Sequence, residues 1–440
     1  MPTLTQFELS QRHRLAFRNE RSLYRRKCDA TGEEIISIYS QDKPYKIYKS
    51  DYWYGDKWDA LDFGRDFDFN RPFFKQFAEL QLQVPRLALS NAKGVNSEYC
   101  NMTFYNKNCY LIFGGDFNEY SAYGILCMHN KNVMECDYSN NCELCYEISD
   151  CLECYNVDYA TDCRNCFDCS YISDCIGCNN CILCTNLINQ SYCIENKKLS
   201  KEGFKEKKKQ IFTPPNSIEI NPKEISTKPN SAKPNSYTPT SPESATSPLS
   251  TREILYQKWL QIREKRIVKF ANQIQCENCT GNYIKNSKNC INCFDVSDCE
   301  DMKDIIFATK CKDCKDCTLL GDGSQLCKNT LSTIGAYNSK HSFFTIDSSD
   351  IEYCEFSINS SNLFGCIGLK HKKYCIFNKQ YEKEEYELLH DKIIAHMKKT
   401  GEYEKFFPAF LSCFNYNETT ANTYYPLSKE EALKEGFKWK

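Results

Sequence analysis

The sequence lacks several features that would assign it to a common class of protein. The 440-residue chain has no apolar run long enough to cross a bilayer, so no membrane span is predicted. Its formal net charge is only −2, which excludes a uniformly basic nucleic-acid-binding protein and leaves only local basic surface. The first residues, MPTLTQFELSQRHR, lack the basic and then apolar pattern of a signal peptide, so a cytoplasmic location is expected.

Catalytic patterns are also missing. The six histidines match no catalytic or metal-binding spacing, and neither Gly64 nor the Gly114-Gly115 pair has the strand-turn-helix context of a phosphate-binding loop. No nucleophile and base can be paired from their spacing. The sequence therefore favours a protein without enzymatic activity.

Cysteine, by contrast, is abundant. Of the 30 cysteines, only Cys28 lies in the first 99 residues, sixteen lie from Cys100 to Cys193, twelve lie from Cys276 to Cys375, and Cys413 stands alone. In a reducing compartment they are expected to be thiols or metal ligands rather than disulfides. The two blocks therefore need a structural or a chemical explanation.

The spacing of these cysteines is periodic. From Cys100 to Cys193 every cysteine lies a multiple of three residues from every other, and a twelve-residue period is superimposed. One twelve-residue column reads Gly124, Cys136, Ile148, Ala160, Ile172 and Cys184. The second block follows the same rule, with a phase slip near Gly321 to Gly323. The pattern predicts a mainly β protein with two β-solenoids of about 12 residues per coil, stacked at roughly 4.8 Å, with Asn, Asp and Gly at the corners.

A thin solenoid core explains most of the cysteines. Cysteine is small and readily buried, and it fits where leucine would overpack a narrow interior. Alanine, serine, valine and glycine share the same columns, as selection by size requires. We therefore interpret most of the cysteines as core residues.

Metal binding is the competing interpretation. Two C-x-x-C pairs on adjacent coils could bring four thiolates together for zinc or an iron–sulfur cluster. The two cysteines of a pair would be about 10 Å apart on a straight strand, which is too far to share a metal, so a corner must lie between them. The candidate ligands are Cys276, Cys279, Cys290 and Cys293 at the start of the second block, and Cys151, Cys154, Cys163, Cys166, Cys175 and Cys178 in the first.

The composition divides the chain into five segments. They are a basic and aromatic-rich α+β cap (1–92), the first solenoid with a closing helix (93–212), a disordered linker (213–250), a helix with the second solenoid (251–380), and a C-terminal helical segment (381–440). The linker holds eight of the fourteen prolines and almost no aliphatic residues. Both blocks end alike, as YCIENK before LSKEGF and as YCIFNK before YEKEEY, which indicates a duplicated unit.

Three helices are predicted after the linker. Ser250 and Glu253 form a capping box for a helix whose apolar face includes Leu255, Trp259 and Ile262. A second helix is expected from about Lys383 to Lys399, with Leu388, Leu389, Ile393, Ile394 and Met397 on its apolar side. A third is expected after Ser428.

The N-terminal region offers two further candidate surfaces. Arg14, Arg18, Arg21 and Arg25 share one face of a predicted helix, which would bind RNA or DNA, bind an acidic protein, or pair with the ten acidic residues between positions 134 and 175. The aromatic residues of segment 45–77 could stack on bases or form a packed domain that caps a solenoid end.

Several stretches resemble a known family. LAFRNERSLYRRKCDATGEEIISIYS, DFGRDFDFNRPFF, SSNLFGCIGL and YCIFNKQYEKEEY are similar to an uncharacterised family of cysteine-rich repeat proteins predicted from bacterial genomes, some of which carry a zinc-ribbon label. In that family a C-x-x-C ribbon precedes the RNER segment, whereas this sequence has no cysteine before Cys28. The resemblance implies a shared architecture and no particular activity.

Three functional hypotheses follow. The first is a non-enzymatic β-solenoid scaffold that presents an acidic, Asn- and Tyr-rich wall to a protein partner or assembles with itself. The second is a metal-thiolate protein that binds zinc or an iron–sulfur cluster. The third is an RNA- or DNA-associated factor that uses the N-terminal arginines.

Overall fold

The computed structural model describes residues 4–137, 139–143, 146–149, 158–161, 166–212, 250–300, 302, 306–309, 318–320, 331–334, 343–346 and 348–440. Most of the predicted linker, 213–249, lies outside these residues. The chain forms two compact units, one of Met1–Gly94, Glu98–Phe104 and Lys269–Lys440, and one of Val95–Ser97 and Tyr105–Val268. Each unit contains a β-solenoid, which confirms the predicted fold class. The finer division into five segments stays a prediction.

The N-terminal part of the first unit is a small α+β region. Its elements are α1 (Gln6–Leu15), β1 (Tyr24–Lys27), β2 (Glu34–Ser37), β3 (Ile47–Tyr48), α2 (Ser50–Tyr54), α3 (Phe73–Gln83), β4 (Arg86–Leu87), β5 (Asn91–Ala92) and β6 (Thr103–Phe104). β1 and β2 pair antiparallel, whereas β3 with β4 and β5 with β6 pair parallel.

The second unit holds the first solenoid. Its elements are β7 (Tyr110–Phe113), β8 (Ala122–Ile125), β9 (Met134–Asp137), β10 (Tyr146–Ser149), β11 (Asp158–Thr161), β12 (Ser170–Ser173), β13 (Asn179–Thr185), β14 (Ser191–Ile194), β15 (Lys197–Lys198), α4 (Lys201–Phe212) and α5 (Thr251–Glu264). Strands β7 to β14 are parallel, and each residue pairs with the residue twelve positions later. The predicted column from Gly124 to Cys184 is therefore confirmed.

The coil of residues 117–128 turns four corners, and the other described coils repeat them at twelve-residue spacing. Within one coil the corners are Phe117, Tyr120, Tyr123 and Leu126, all with left-handed φ between 48° and 57°. The residue after each corner points inward: Asn118, Ser121, Gly124 and Cys127. Asn, Asp and Gly do occupy corners, as predicted, but so do tyrosine, phenylalanine and leucine, because the corner side chain points away from the narrow interior of the coil.

The first unit holds the second solenoid. Its elements are β16 (Gln273–Ile274), β17 (Gly281–Lys285), β18 (Cys293–Ser297), β19 (Ile306–Thr309), β20 (Thr318–Leu320), β21 (Leu331–Ile334), β22 (Phe343–Ile346), β23 (Ser349–Glu352), β24 (Glu355–Ile358), β25 (Ser361–Phe364), β26 (Lys373–Ile376), β27 (Lys379–Gln380), α6 (Lys383–Thr400), α7 (Thr420–Tyr424) and α8 (Lys429–Lys434). The register is again twelve, except for Gln273 with Ile284 and Thr318 with Leu331. The thirteen-residue step after β20 confirms the predicted phase slip.

Both solenoids end in the same way, as the duplicated sequence predicts. The last parallel strand turns into a short antiparallel strand, β14 into β15 and β26 into β27. At each turn an asparagine with left-handed φ pairs with the backbone of the preceding coil. Asn196 bonds Thr185 N and O, both at 2.9 Å, and Asn378 bonds Ile367 N and O, both at 2.8 Å. The asparagine amide thus replaces the next strand of the ladder.

Helices cover the end of the first solenoid. Phe204 of α4 and Leu255 and Trp259 of α5 are buried against Ile182 and Ile194. The predicted start of α5 is confirmed, because the Ser250 hydroxyl accepts a hydrogen bond from Glu253 N at 3.2 Å.

The second solenoid ends under α6 and the N-terminal region. Phe73 and Phe77 of α3 pack with Tyr353, Phe364 and Phe377 in one buried cluster that also includes Ile393 and Met397 of α6. The predicted helix of 383–399 is confirmed as α6, although Leu388, assigned to its apolar side, is 60% exposed. The predicted third helix is α8, which Ser428 and Glu431 cap reciprocally.

A buried ion pair joins the N-terminal region to this second solenoid. The Arg86 guanidinium donates to both carboxylate oxygens of Glu355, at 3.1 Å to Oε2, and both residues are at most 4% exposed. Gln81 Nε2 donates to the same carboxylate at 3.0 Å, and the Tyr45 ring lies 4.6 Å from the guanidinium. Because both charges are buried, removing either partner would leave the other charge without compensation inside the protein.

Candidate functional site

Apart from Cys28 and Cys413, the described cysteines are thiols that line the solenoid interiors. Most of these thiols donate to the carbonyl two residues earlier and, in many coils, lie within hydrogen-bonding distance of the carbonyl nine residues later on the next coil. Cys169 Sγ lies 3.2 Å from Phe167 O and 3.8 Å from Cys178 O. The interpretation of most cysteines as core is confirmed, and the geometry adds a reason for cysteine over alanine: the thiol satisfies backbone carbonyls at the corners.

Serine and asparagine perform the same task in the same columns. Ser121 Oγ donates to Glu119 O at 3.0 Å and accepts from Val133 N at 3.3 Å. Buried Asn118 donates to Cys127 O at 2.8 Å and accepts from Asn130 N at 3.1 Å. Sequence reasoning missed this asparagine ladder, although its members lie at multiples of twelve residues before Cys142.

The predicted zinc ligands are placed in these same columns. Cys151, Cys154 and Cys163 lie outside the described residues, while Cys166, Cys175, Cys178, Cys290 and Cys293 are buried and Cys276 and Cys279 are half-buried. Among the residues that the structure describes, no three His, Cys, Asp or Glu side chains are arranged to hold a metal ion. The thiols of Cys276 and Cys279 face carbonyls at 3.2 to 3.4 Å. The zinc site stays a prediction, and it requires these thiols to rotate.

One part of the first solenoid concentrates thiols. Cys181 is the register partner of Cys193 on the next strand, and Cys178 and Cys184 lie three residues before and after it. Corners at Asn180 and Leu183 separate Cys178, Cys181 and Cys184 along the chain. In the second solenoid, burial raises the pKa of the Cys290 thiol to about 12.

The N-terminal arginines do not form the expected helical face. α1 ends at Leu15, so Arg18 lies beyond the helix and Arg25 lies in β1. Arg14 and Arg18 are buried, where Arg14 bonds Ser10 at 2.7 Å and Arg18 pairs with Glu20. Arg12 pairs with Glu435. The expected single face is wrong because the helix is too short, and only Arg21 and Arg25 of the four remain exposed.

The aromatic segment of residues 45 to 77 is largely core. Trp53, Phe73 and Phe77 are at most 1% exposed and contact other core aromatics. Trp53 Nε1 donates to Pro85 O at 3.0 Å, which satisfies its polar group inside the protein. The packed cap that the sequence offered as one alternative is therefore the arrangement observed for these residues, and they are not available to stack on bases.

An exposed aromatic column, formed by Tyr105, Phe117 and His129, runs along one corner of the first solenoid. The ring centroids of Tyr105 and Phe117 lie 4.9 Å apart and those of Phe117 and His129 5.0 Å apart, with interplanar angles of 5° and 1°. Tyr105 and Phe117 are nearly half exposed, and Tyr120 at the next corner is 55% exposed. Aromatic residues usually avoid both solvent and a left-handed φ. Here they are held at exposed corners and repeat from one coil to the next.

Two further surfaces flank the described solenoids. Beside the aromatic column, Lys107, Glu119, Lys131 and Glu143 follow one another in register with alternating charge. In the other unit, a cavity of about 380 Å³ between α6 and the solenoid is lined by Asp350, Glu352, Asn362, Tyr386, Glu387, His390 and Asp391. These carboxylates favour cations.

The comparisons with known proteins give no further assignment. No protein-family model, curated protein or solved structure matches the chain. No described helix combines the length and apolarity that a bilayer crossing requires.

Proposed function

We propose that the protein is a non-enzymatic β-solenoid scaffold that binds a protein partner through the aromatic column of its first solenoid. The observation that carries this proposal is the stack of Tyr105, Phe117 and His129, because exposed aromatic rings of this regularity are costly to hydrate and are typical of binding surfaces. Tyr120 and the asparagine corners beside it extend the Asn- and Tyr-rich wall expected from the sequence.

Rigidity supports a binding role. Each coil is fixed to its neighbours by parallel backbone pairing and by inward thiol, hydroxyl and amide hydrogen bonds. The aromatic rings therefore lose little conformational entropy when a partner covers them, which favours affinity. Glu135, Asp137, Glu143, Asp168 and Asp174 lie in the same solenoid and would add charge selectivity for that partner.

Photo-crosslinking in the native host tests the proposal. A photoreactive phenylalanine analogue placed at Phe117 or Tyr120 should give a discrete protein adduct, whereas the analogue at Ile188, which is 61% exposed in the same unit, should give none. Phe117→Ser should reduce the adduct formed from position 120 at least tenfold. Adducts of equal yield at all three positions, or adducts destroyed by nuclease, would overturn the proposal.

A further inference from the structure

One wall of the first solenoid is formed by three columns of outward side chains that run along its axis. Its two edges are corner columns, one of Tyr105, Phe117, His129 and Asn141 and one of Asn108, Tyr120 and Asn132. Between them lies the charge column, in which each residue pairs in register with the residue twelve positions later: Lys107, Glu119, Lys131 and Glu143. Lys107, Lys131 and Glu143 are exposed and Glu119 is half-buried. The wall therefore combines a regular row of charges with an aromatic edge.

The charges of this column are available to a partner. In the second solenoid a column of alternating charge forms an internal ion pair, in which Lys288 Nζ lies 3.5 Å from Glu277 Oε2. In the first solenoid, by contrast, Lys107, Glu119 and Lys131 form no ion pair with any residue that the structure describes. The alternation of charge in the first solenoid is therefore not explained by internal pairing.

The order of the charges is self-complementary. Lysine and glutamate alternate over four coils, so reversing the column places every lysine opposite a glutamate. If two copies pack wall to wall about a twofold axis that runs across the coils, Lys107 lies opposite Glu143 of the second copy and Glu119 lies opposite Lys131 of the second copy. Copies packed with parallel axes would instead place each charge opposite itself, which is repulsive. The charge column therefore selects the antiparallel arrangement.

We propose that a second copy of this chain binds this wall and forms an antiparallel dimer with twofold symmetry. The proposal rests on the proposed function, because it names the partner of the same aromatic column. In this dimer Phe117 lies opposite His129 of the second copy, so each copy covers exposed rings of the other. The four coils span only about 14 Å, which is too short for the roughly 800 Å² per partner of a stable interface, so the dimer is weak, with a micromolar dissociation constant.

Sedimentation velocity of the full-length, reduced chain tests this dimer. The wild-type chain should shift from the mass of one chain to the mass of two over a micromolar concentration series. Glu119→Lys alone and Lys131→Glu alone should each weaken the dimer at least tenfold, because each places like charges opposite one another twice in the interface. An equimolar mixture of these two variants should dimerise like the wild type, because every charge of one variant then faces an opposite charge of the other.

Lys205→Glu is the matched control. Lys205 is exposed on α4 in the same unit and lies outside the wall, so its charge reversal should leave the dimer unchanged. None of the three substituted positions is buried, so all three variants should fold, which an unchanged thermal unfolding midpoint would establish. Wild-type dimerisation of both wall variants, equal weakening by Lys205→Glu, or failure of the mixture to dimerise would overturn the proposal.

The dimer and the partner-binding role can fail separately. A monomeric wild-type chain that gives a photo-crosslinked adduct with a different protein from position 117 would overturn the dimer and support the partner-binding role. An adduct with the mass of two chains would support both. A monomeric chain that gives no adduct would overturn both.

Discussion

The two solenoids share one closing motif and differ in what covers it. The turn asparagine is fully buried at position 378 and exposed at position 196, although both bond the preceding coil in the same way. α4 and α5 cover the first closure, whereas the second is sealed by α6 and by a region from the other end of the chain. The same closing turn is thus covered by two helices in one solenoid and by a larger apolar cluster in the other. Burial decides how much its hydrogen bonds contribute to the free energy of unfolding.

The ion pair of Arg86 and Glu355 in the second solenoid should have the largest effect on the free energy of unfolding. Glu355→Ala leaves the Arg86 guanidinium buried without its counter-charge, so the free energy of unfolding should fall by about 3–5 kcal/mol. Urea unfolding followed by tryptophan fluorescence measures the change. Replacing both Arg86 and Glu355 by leucine should recover most of the loss, and a single-variant loss below about 1 kcal/mol would show that the pair does not hold the closure.

Alkaline pH should destabilise the first unit through the buried thiol of Cys413. Burial raises the pKa of this thiol from 9.0 to about 11. Between these two pKa values the folded state keeps a proton that the unfolded state releases. The contribution of the neutral thiol to the free energy of unfolding is therefore complete below about pH 9 and is lost as the pH rises to about 11. Two pKa units correspond to about 2–3 kcal/mol. Cys413→Ser should flatten the stability profile between pH 9 and 11, and an unchanged slope would contradict this assignment.

The turn asparagines test the comparison directly. Glycine keeps the left-handed φ near 60° at each turn and removes only the side chain. Asn378→Gly should destabilise by about 1–3 kcal/mol, because it leaves buried groups of Ile367 and Ala60 O unsatisfied. Asn196→Gly should lower the free energy of unfolding by less than about 1 kcal/mol, because Asn196 is exposed and water can replace its hydrogen bonds. Hydrogen exchange at Ile367 and Thr185 reports each site, and equal losses would mean that burial does not set the difference.

Sequence periodicity predicted the coils because it records a backbone constraint. Each twelve-residue coil must place four side chains in a narrow interior, so Cys, Ser, Ala and Gly recur at fixed spacing together with Val, Ile and Asn. The closing turns and the helices after them were also readable, since Asn196 and Asn378 sit in duplicated sequences and Ser250 and Ser428 are strong caps.

Other features depended on distant contacts that no local pattern encodes. The Arg86–Glu355 pair joins residues 269 positions apart, and nothing around either residue announces the other. The N-terminal arginines have helical spacing in the sequence, but α1 ends at Leu15. The residues that follow pack against the C-terminal region, where Thr420 N donates to Arg18 O at 2.8 Å. The aromatic column was hidden because Tyr105, Phe117 and His129 differ in residue type while sharing a corner.

The contact between the N-terminal region and the second closure also sets an order of events during synthesis. Coil contacts span twelve residues and can form almost as soon as the chain emerges, whereas Arg86 must wait for a residue 269 positions later. At about 5–20 residues per second that delay is roughly 13–54 s. Throughout that interval the phenylalanines of α3 have no solenoid to cover them, so the nascent chain exposes this apolar surface until its second half leaves the ribosome.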